Sequence, residues 1–487
     1  MNLNTRLYFI SFTEGAAVMA AEIAGAKLLA PFFGSSLYVW SSVMAVTLAG
    51  LASGYFIGGK WSKQSNKEKN LLYILLGAII SLGLMPLVAL LFSAIAALFS
   101  LIPAVVLSVF ILLFPVTLFM GATSPTLIAI LTHEVDSSGE NSGRVYAIST
   151  VGGILATFAC GFYLIPEIGI TYTLLSFTAF LTLATSLFFI KKKSSLSLIV
   201  LPFIFFALYS FNNKHKKGLI HESESVLGKL EVVDEKDEID SSLEVRKLLI
   251  NNIVQTEMDL KKQQSVSNYI SLVKQNIPFF PKGKALILGL GGGLVANTFL
   301  FEKYTVTGVE FDERVLNVAK KYFHLNSKVK TICDDARHFI NQNNKEKFNV
   351  VLFDIFKAEE QPSHVITLES LQKLKLLLDS NSIVVINTHG YINGNIGKGT
   401  QCLITTLNKE GFNVNICSTG INEDYRNLVL MASLKPFEHK FINQIDYSLS
   451  TNNRMNRDEI PVLEKLNAEA NFTWRKNYLN NYILLNN

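Results

Sequence analysis

Apolar positions follow two rhythms along this chain. Residues 7–211 are apolar with few charges and run in long stretches, whereas residues 212–487 hold most of the Lys, Arg, Asp and Glu and carry only short apolar runs. A helix that crosses a bilayer needs about 20 mostly apolar residues. The long runs therefore predict spans at about Leu7–Leu29, Leu37–Gly59, Leu71–Leu98, Ala104–Leu131, Val145–Ile165, Thr171–Ile190 and Leu196–Tyr209. The third and fourth are long for one crossing, and the seventh is short. Lys60, Lys63, Lys67 and Lys69 in one loop and the Lys191–Lys193 run in another place both loops on the cytoplasmic side. Alternation then puts the N-terminus inside, and a full seventh span would carry the following domain outside. Lys214, Lys216 and Lys217, just beyond it, argue for inside. Either Leu196–Tyr209 lies in the interface or re-enters, or the 71–131 stretch hides an extra span.

Within the apolar part, Gly50, Gly54 and Gly58 form a stripe of small residues at every fourth position, and Gly153, Thr157 and Gly161 repeat it. Both predict close helix packing. Glu22 and Lys27 fall inside the first span, where ionisable groups are costly and mark either function or snorkelling toward the interface. Glu14 is the less informative acid.

The second rhythm begins after a basic linker, Lys214–Ile220. Residues Leu227–Leu260 alternate apolar and polar side chains in short runs, which predicts a small antiparallel β region, and Val266–Val273 reads as a helix carrying Tyr269. Strands then alternate with helices. The strands are Ala285–Leu290, Val306–Val309, Val329–Cys333, Phe348–Phe353 and Ser382–Asn387, with Asn427–Ser433 as a late antiparallel one. The helices are Arg314–Phe323, Ala336–Asn341, Leu368–Leu378 and Lys398–Glu410. This is the pattern of a doubly wound parallel sheet. The expected divisions are 1–211 for a multi-pass helical membrane domain of about seven spans, 212–275 for linker and β region, 276–435 for a Rossmann-like α/β domain, and 436–487 for a C-terminal extension.

Candidate chemistry gathers at the ends of those strands. Lys284–Asp312 reads strand, glycine cluster (Gly289, Gly291, Gly292, Gly293), helix, strand, and then Glu310. Glycines let backbone N–H groups approach a ligand, and a carboxylate about 20 residues on can take both ribose hydroxyls. The fit to GxGxxG is loose, because Leu294 and Val295 follow the glycines. Asp335 ends the third strand and Asp354 the fourth, so three acids stand at three successive strand ends, where α/β sheets bind ligands. Glu310 suits a ribose diol, the Asp335–Ala336 backbone an adenine edge, and Asp354 the place of chemistry, as proton acceptor or holder of a cationic substrate. The structural alternatives are an exposed strand terminus for Glu310, a helix cap for Asp335 and a turn residue for Asp354.

Composition adds little to this. The hydrophobic fraction is 49%, high for a soluble protein, and the net charge of +5 comes partly from lysines flanking the apolar spans, so it does not point to nucleic acid. Cys160, Cys333, Cys402 and Cys417 show no metal spacing and read as reduced core residues. The first apolar segment is too long and too charged for a cleaved signal peptide.

Taken together, these residues resemble a family. The second half is similar to the spermidine synthase (polyamine aminopropyltransferase) family on its methyltransferase-type fold. The matching pieces are Arg246, Gln255, Tyr269, the GLGGG turn, VEFDERVLNVAKKYF, DDARHFI and FDIFKAEEQPSHVITLESL, with NRDEIPVLEKL resembling a late motif of membrane-bound members. The first half resembles the N-terminal domain of those multi-pass members through Glu22, GYFIGGKW, MGATSPTL, GRVYAISTVGG and GFYLIP.

The resemblance implies transfer of an aminopropyl group from decarboxylated S-adenosylmethionine to a small-molecule amine, with release of 5′-methylthioadenosine. It implies no metal, and a homodimer is compatible with it. Asp354 would be the proton acceptor. Gln255, Gly289, Gly291, Gly292, Glu310, Asp335, Ala336 and Pro362 would hold the nucleoside. Tyr269, Glu359, Glu360 and His364 are candidates for the acceptor side. Three features depart from the family: Leu294 stands where an acid usually follows the glycine turn, Lys357 stands three residues after Asp354 where the family has an aspartate, and the His-Glu pair that follows the family's tyrosine is absent after Tyr269.

The expected protein is an enzyme in the inner membrane with a cytoplasmic catalytic domain, in contact with lipid and not with nucleic acid. Two rivals stand beside it. One is an S-adenosylmethionine-dependent transferase on another substrate, since Lys357 could meet a carboxylate that the decarboxylated donor lacks. The other is a transporter or sensor that binds nucleoside or polyamine without turnover.

Overall fold

A computed structural model describes residues 3–34, 37–132, 137–189, 198–212, 217–225, 227–236, 242–342, 346–355, 362–450 and 453–486. The chain divides into two compact units, one of Met1–Lys216 with Ser223–Gly228 and one of Lys217–Glu222 with Lys229–Asn487.

The first unit is helical: α1 (Leu3–Phe33), α2 (Leu37–Trp61), α3 (Lys67–Val88), α4 (Phe92–Leu98), α5 (Leu101–Leu131), α6 (Ser138–Ala159), α7 (Ile165–Phe188) and α8 (Val200–Asn212). Among the described residues, five helical stretches are long and apolar enough to cross a membrane: Leu3–Phe33, Leu37–Trp61, Lys67–Ala96, Leu101–Leu131 and Ser138–Phe188. The last runs for 51 residues, about 77 Å at 1.5 Å per residue, and is broken at Gly169, which is non-helical at φ 80°, ψ 170°. Between 71 and 131 the described residues hold two such stretches, Lys67–Ala96 and Leu101–Leu131. A 3₁₀ turn at Ala89–Leu91 leads into α4, which is 7 residues long.

The Gly50–Gly54–Gly58 stripe lies against α5. A Cβ there would come within 1.9 Å of Thr117 Oγ1, 2.3 Å of Leu118 O and 2.5 Å of Ala122 O. The second stripe differs from expectation, because Gly161 has open space around it. Gly153 does face α1, with a Cβ there 3.3 Å from Gly15 O, but the closest approach between α1 and α6 is made by Gly15 and Gly152, whose Cβ atoms would meet Ser149 O at 2.0 Å and Phe12 O at 2.2 Å. That approach brings Ser149 Oγ to donate to Glu14 Oε2 at 3.1 Å. Glu14 is thus the deeply buried acid of the unit, and Glu22, which the sequence favoured, is only half-buried.

After α8 comes a five-stranded sheet in order β1-β2-β3-β4-β5, most of it in the second unit, formed by β1 (Leu219–Ser225), β2 (Gly228–Lys236), β3 (Glu244–Ile250), β4 (Ile253–Asp259) and β5 (Gln264–Ser265). Leu219 and Ile220 therefore belong to a strand rather than to the linker, whose Lys214 and Lys216 lie outside the described residues, as do Lys191–Lys193. Helix α9 (Asn268–Asn276) follows.

The α/β part then runs β6 (Lys284–Leu288), α10 (Leu294–Phe301), β7 (Thr305–Glu310), α11 (Glu313–Tyr322), β8 (Lys330–Cys333), α12 (Ala336–Gln342), β9 (Phe348–Phe353), α13 (Leu368–Lys375), β10 (Leu378–His389), α14 (Lys398–Lys409), β11 (Asn413–Ser418), β12 (Asn427–Ser433), β13 (Gln444–Ile445) and α15 (Leu463–Asn486). The sheet order is β13-β11-β12-β10-β9-β6-β7-β8. Strands β8, β7, β6, β9 and β10 are parallel, and β12 is antiparallel to both β10 and β11.

Alternate residues of the parallel strands enter two cores. Ala285, Ile287 and Val385 face one, while Leu286, Leu288 and Ile386 face the other. The helix expected over Leu368–Leu378 stops at Lys375, since Leu376 and Leu377 close its last turn and Leu378 already pairs with Phe348. Cys160, Cys402 and Cys417 are buried, but Cys333 is exposed, because β8 is the edge strand.

Candidate active site at the strand ends

Strand order reverses direction between β6 and β9, and that switch point is where an open α/β sheet leaves a crevice at its C-terminal edge. Backbone bonds tie the strand ends together there. Gly289 N donates to Val309 O at 2.9 Å and Asp354 N donates to Leu288 O at 2.8 Å. Gly289 has φ 85°, and a Cβ on it would lie 2.2 Å from Asp354 O. Glycine is required on both counts. Gly291 and Gly293 also have left-handed φ, 50° and 78°. The turn is braced from the small sheet, where Thr256 Oγ1 of β4 accepts from Gly292 N at 2.8 Å.

Glu310 ends β7 and is already engaged with the turn. Its Oε2 accepts from Leu290 N at 3.0 Å and Gly291 N at 3.3 Å, and Oε1 from Asp312 N at 3.1 Å. Burial pushes its carboxyl above the ordinary range, against the pull of those N–H groups toward the charged form. Asp335 stands at the head of α12, where its Oδ1 accepts from His338 N at 3.0 Å and its Oδ2 lies 3.1 Å from His364 Nε2. The His364 contact holds Asp335 below the usual aspartate range. Asp335 is thus a helix cap and a strand-end acid at once. Ala336 is buried beside it, and Pro362 begins the turn whose Val365 N bonds back to Pro362 O at 3.2 Å.

Asp354 ends β9 and is held from two sides. Tyr269 of α9 donates its hydroxyl to Oδ2, and Asn387 of β10 donates Nδ2 to Oδ1 at 2.9 Å. Asn427 Nδ2 of β12 donates in turn to Asn387 Oδ1 at 3.0 Å. Burial raises the Asp354 carboxyl, while Asn387 and Tyr269 draw it back. Burial, and then the neighbouring Asp354 charge, push the Tyr269 phenol well up, so it stays a donor. The result is a half-buried carboxylate fixed by two neutral donors, an arrangement suited to accepting a proton.

The structure brings Gly289, Gly291, Gly292, Glu310, Asp354 and Tyr269 to one switch point, with Asp335, Ala336, Pro362 and His364 along the neighbouring strand ends. Gln255 of β4 lies half-buried beside Thr256, its Nε2 3.4 Å from Ile253 O and Val254 O. Lys357, Glu359 and Glu360 lie outside the described residues. Leu294 starts α10 and is 4% exposed, so no carboxylate stands there. Sequence reasoning missed Thr256, Asn387 and Asn427. Asn387 was visible as the polar end of the fifth strand, in the same position as the acids.

Known proteins resemble this chain in part. Over 181 residues it is 31% identical to the polyamine aminopropyltransferase of Vibrio vulnificus, covering 35% of this chain and 59% of that protein. Over 112 residues it is 29% identical to the N-terminal histidine N-methyltransferase of Emericella nidulans, covering 22% of this chain and 20% of that protein. The chain thus spans less than two thirds of these curated relatives. Among solved structures, a probable spermidine synthase from Corynebacterium glutamicum aligns over 46% of this chain and 82% of its own, at 17% identity and a TM-score of 0.38. Residues 271–397, which hold the glycine turn and all three strand-end acids, match the family model described as the spermine/spermidine synthase domain.

Proposed function

We propose that this chain is a membrane-anchored aminopropyltransferase, which moves the aminopropyl group of decarboxylated S-adenosylmethionine to a small amine and releases 5′-methylthioadenosine. The observation that carries the reading is Asp354, held by Tyr269 and Asn387 with its backbone against Gly289 in the matched domain. In this reading the nucleoside lies along the ends of β6, β7 and β8. Glu310 has one acceptor position left on Oε1 for a ribose hydroxyl, because three backbone N–H groups take the others. Asp335, Ala336 and Pro362 border the base, and Gln255 closes the nucleoside from the small sheet.

The acceptor amine must be neutral at nitrogen to attack. Its lone pair forms the new N–C bond to the methylene carbon on sulfur, the C–S bond breaks, and the bonding pair returns to sulfur as the neutral thioether of methylthioadenosine. The proton released from nitrogen passes to an Asp354 oxygen. Tyr269 and Asn387 keep that carboxylate aimed without neutralising it.

The membrane part of the reading rests on the long apolar helices. Counting Ser138–Phe188 as two crossings gives six full spans. Helix α8 has 13 residues, about 20 Å against a core of about 30 Å, and fits the interface. Six crossings leave the catalytic domain on the cytoplasmic side with the N-terminus.

The test is turnover by detergent-purified protein given decarboxylated S-adenosylmethionine with putrescine, cadaverine or agmatine. Methylthioadenosine release is expected with at least one amine, and Asp354→Asn should lower it by about 10²–10⁴-fold. No release with any of the three sinks the reading. Lys357 favours a second one, transfer from S-adenosylmethionine itself, because a lysine can meet the carboxylate that the decarboxylated donor lacks. Tighter calorimetric binding of the decarboxylated donor than of S-adenosylmethionine argues against it.

A further inference from the structure

The C-terminal helix reaches the reactive end of the sheet. Leu463, at the start of α15, sits in the core that Ile386 enters. Asn387 and His389 alternate with Ile386 along β10, so they share the opposite face, that of Val385. Yet Trp474 of α15 lies 5.5 Å, ring to ring, from His389. The helix therefore runs from the core that holds Leu463 to the C-terminal end of β10. Asn387 is the residue whose amide holds Asp354, and His389 is two strand residues beyond it, about 7 Å further along. Trp474 thus stands at the same strand end, two strand residues and one ring contact removed from the residue that holds the carboxylate.

The face of α15 turned inward is chemically unusual. Asn467, Asn471, Trp474 and Tyr478 follow at helical spacing on one side. Asn467 packs on Gly399 of α14, where any Cβ would come 1.6 Å from Asn467 Oδ1. Asn467 and Asn471 are 5% and 6% exposed, and Asn467 Nδ2 and Asn471 Oδ1 have no hydrogen-bond partner among the described residues. Buried amide atoms are normally paired, and an unpaired one costs about 1–3 kcal/mol. Trp474 stacks on Tyr478 at 5.3 Å and 13°. An unpaired oxygen one turn from a tryptophan is a place for a donor with a cationic or apolar body, which is what an alkylammonium is.

We propose that α15 forms the acceptor side of the active site, with the Trp474 ring and Asn471 Oδ1 receiving the alkylammonium chain of the amine substrate. This rests on the aminopropyl-transfer reading and deepens it. It accounts for Leu294: the contact that a carboxylate on the glycine turn would make is supplied from the far end of the chain by an aromatic face and an amide. The tail is then part of the substrate pocket.

The experiment measures methylthioadenosine release against amine concentration for wild type, Trp474→Ala, Trp474→Phe and Asn471→Leu, with methylthioadenosine affinity determined for each by calorimetry. Trp474→Ala should raise the KM for the amine about ten- to thirtyfold, and Trp474→Phe should restore it to within about threefold. Methylthioadenosine affinity should stay within twofold, roughly, of wild type. Asn471→Leu should raise the amine KM about fivefold or more while raising the Tm, because it removes an unpaired buried amide. A merely structural residue would not move the two in that pairing.

The chain has three tryptophans, and the other two are Trp40 and Trp61. A Trp40→Phe/Trp61→Phe protein therefore reports amine binding through Trp474 fluorescence without turnover, and an amine-dependent change is expected. Unchanged amine KM in Trp474→Ala and Asn471→Leu, in an enzyme that turns over, overturns the proposal alone. A wild-type protein with no turnover, no methylthioadenosine binding and no fluorescence response overturns both readings.

Discussion

Replacing Asn387 by Leu removes the amide that ties β10 to the Asp354 carboxylate while keeping a side chain of similar size. Asn387 Nδ2 lies 2.9 Å from Asp354 Oδ1, and its Oδ1 accepts from Asn427 at 3.0 Å. A hydrogen bond to a charged acceptor contributes about 1.5–3 kcal/mol. Asp354 is raised by burial and drawn back first by Asn387, then by Tyr269, so losing Asn387 favours the protonated acid further.

On the acid limb of the pH–rate profile, activity follows the ionised fraction. The same free energy lowers that fraction by about 10- to 150-fold at a fixed pH. Above the limb the carboxylate is ionised in both proteins, and the rates should converge to within about threefold. Stability moves with pH in a defined sense. The folded Asp354 pKa lies above its unfolded value, so its contribution is full below the ordinary aspartate pKa and is lost as pH rises through the folded pKa. The variant pushes that loss to higher pH and deepens it. Its deficit in unfolding free energy should be small in acid and larger at neutral pH. The measurements are methylthioadenosine release and chemical denaturation, each across acid to neutral pH. Superimposable acid limbs, or a deficit that does not vary with pH, would refute the assignment of Asp354 as the titrating base.

Two further changes test the scaffold of the site. Gly289→Ala places a Cβ 2.2 Å from Asp354 O at a left-handed φ of 85°; the conformation alone costs about 1–2 kcal/mol, so methylthioadenosine binding by calorimetry should fall more than tenfold, roughly, as the two strand ends move apart. Asn456, fully buried, donates to Ser363 O at 2.6 Å and Ile366 O at 2.8 Å and accepts from Val462 and Leu463 N–H. Asn456→Ala leaves several buried backbone groups unpaired at about 1–3 kcal/mol each, so unfolding free energy should drop by about 3 kcal/mol or more, with faster amide exchange over residues 362–367.

The strand ends were legible because each parallel strand is a short apolar run stopped by a glycine, an acid or an asparagine. Glu310, Asp335 and Asp354 could be placed at one sheet edge from that alternation alone. What the sequence did not disclose depends on contacts between distant segments. Thr256 meets Gly292 from a different sheet, and Asn456 fastens the 363–366 turn from 90 residues or more away. Helix α15 escaped because Asn467, Asn471 and Arg475 interrupt its apolar face, so no amphipathic pattern shows. The deep burial of Glu14 depends on Gly15 and Gly152, two glycines outside the stripes that regular spacing singled out. Cys333 read as core because strand identity alone does not reveal that β8 is an edge.

The acid and the glycine turn are one device. Glu310 accepts from Leu290 and Gly291 N–H groups, so the carboxylate holds the turn in shape through the very donors that a glycine-rich loop would otherwise offer an anion. A turn whose first N–H groups are spoken for by a carboxylate is a poor cradle for a pyrophosphate, because two anions would compete for the same donors across a few ångströms. It suits a ligand with a neutral diol and a cationic centre. The carboxylate keeps one acceptor position for a hydroxyl, and its charge favours the sulfonium of an S-adenosyl donor over the phosphates of a dinucleotide. The loose fit to GxGxxG therefore has a physical meaning. With Leu294 and Val295 in place of the spacing that admits a pyrophosphate, and Glu310 bonded back onto the turn, this edge of the sheet disfavours a dinucleotide.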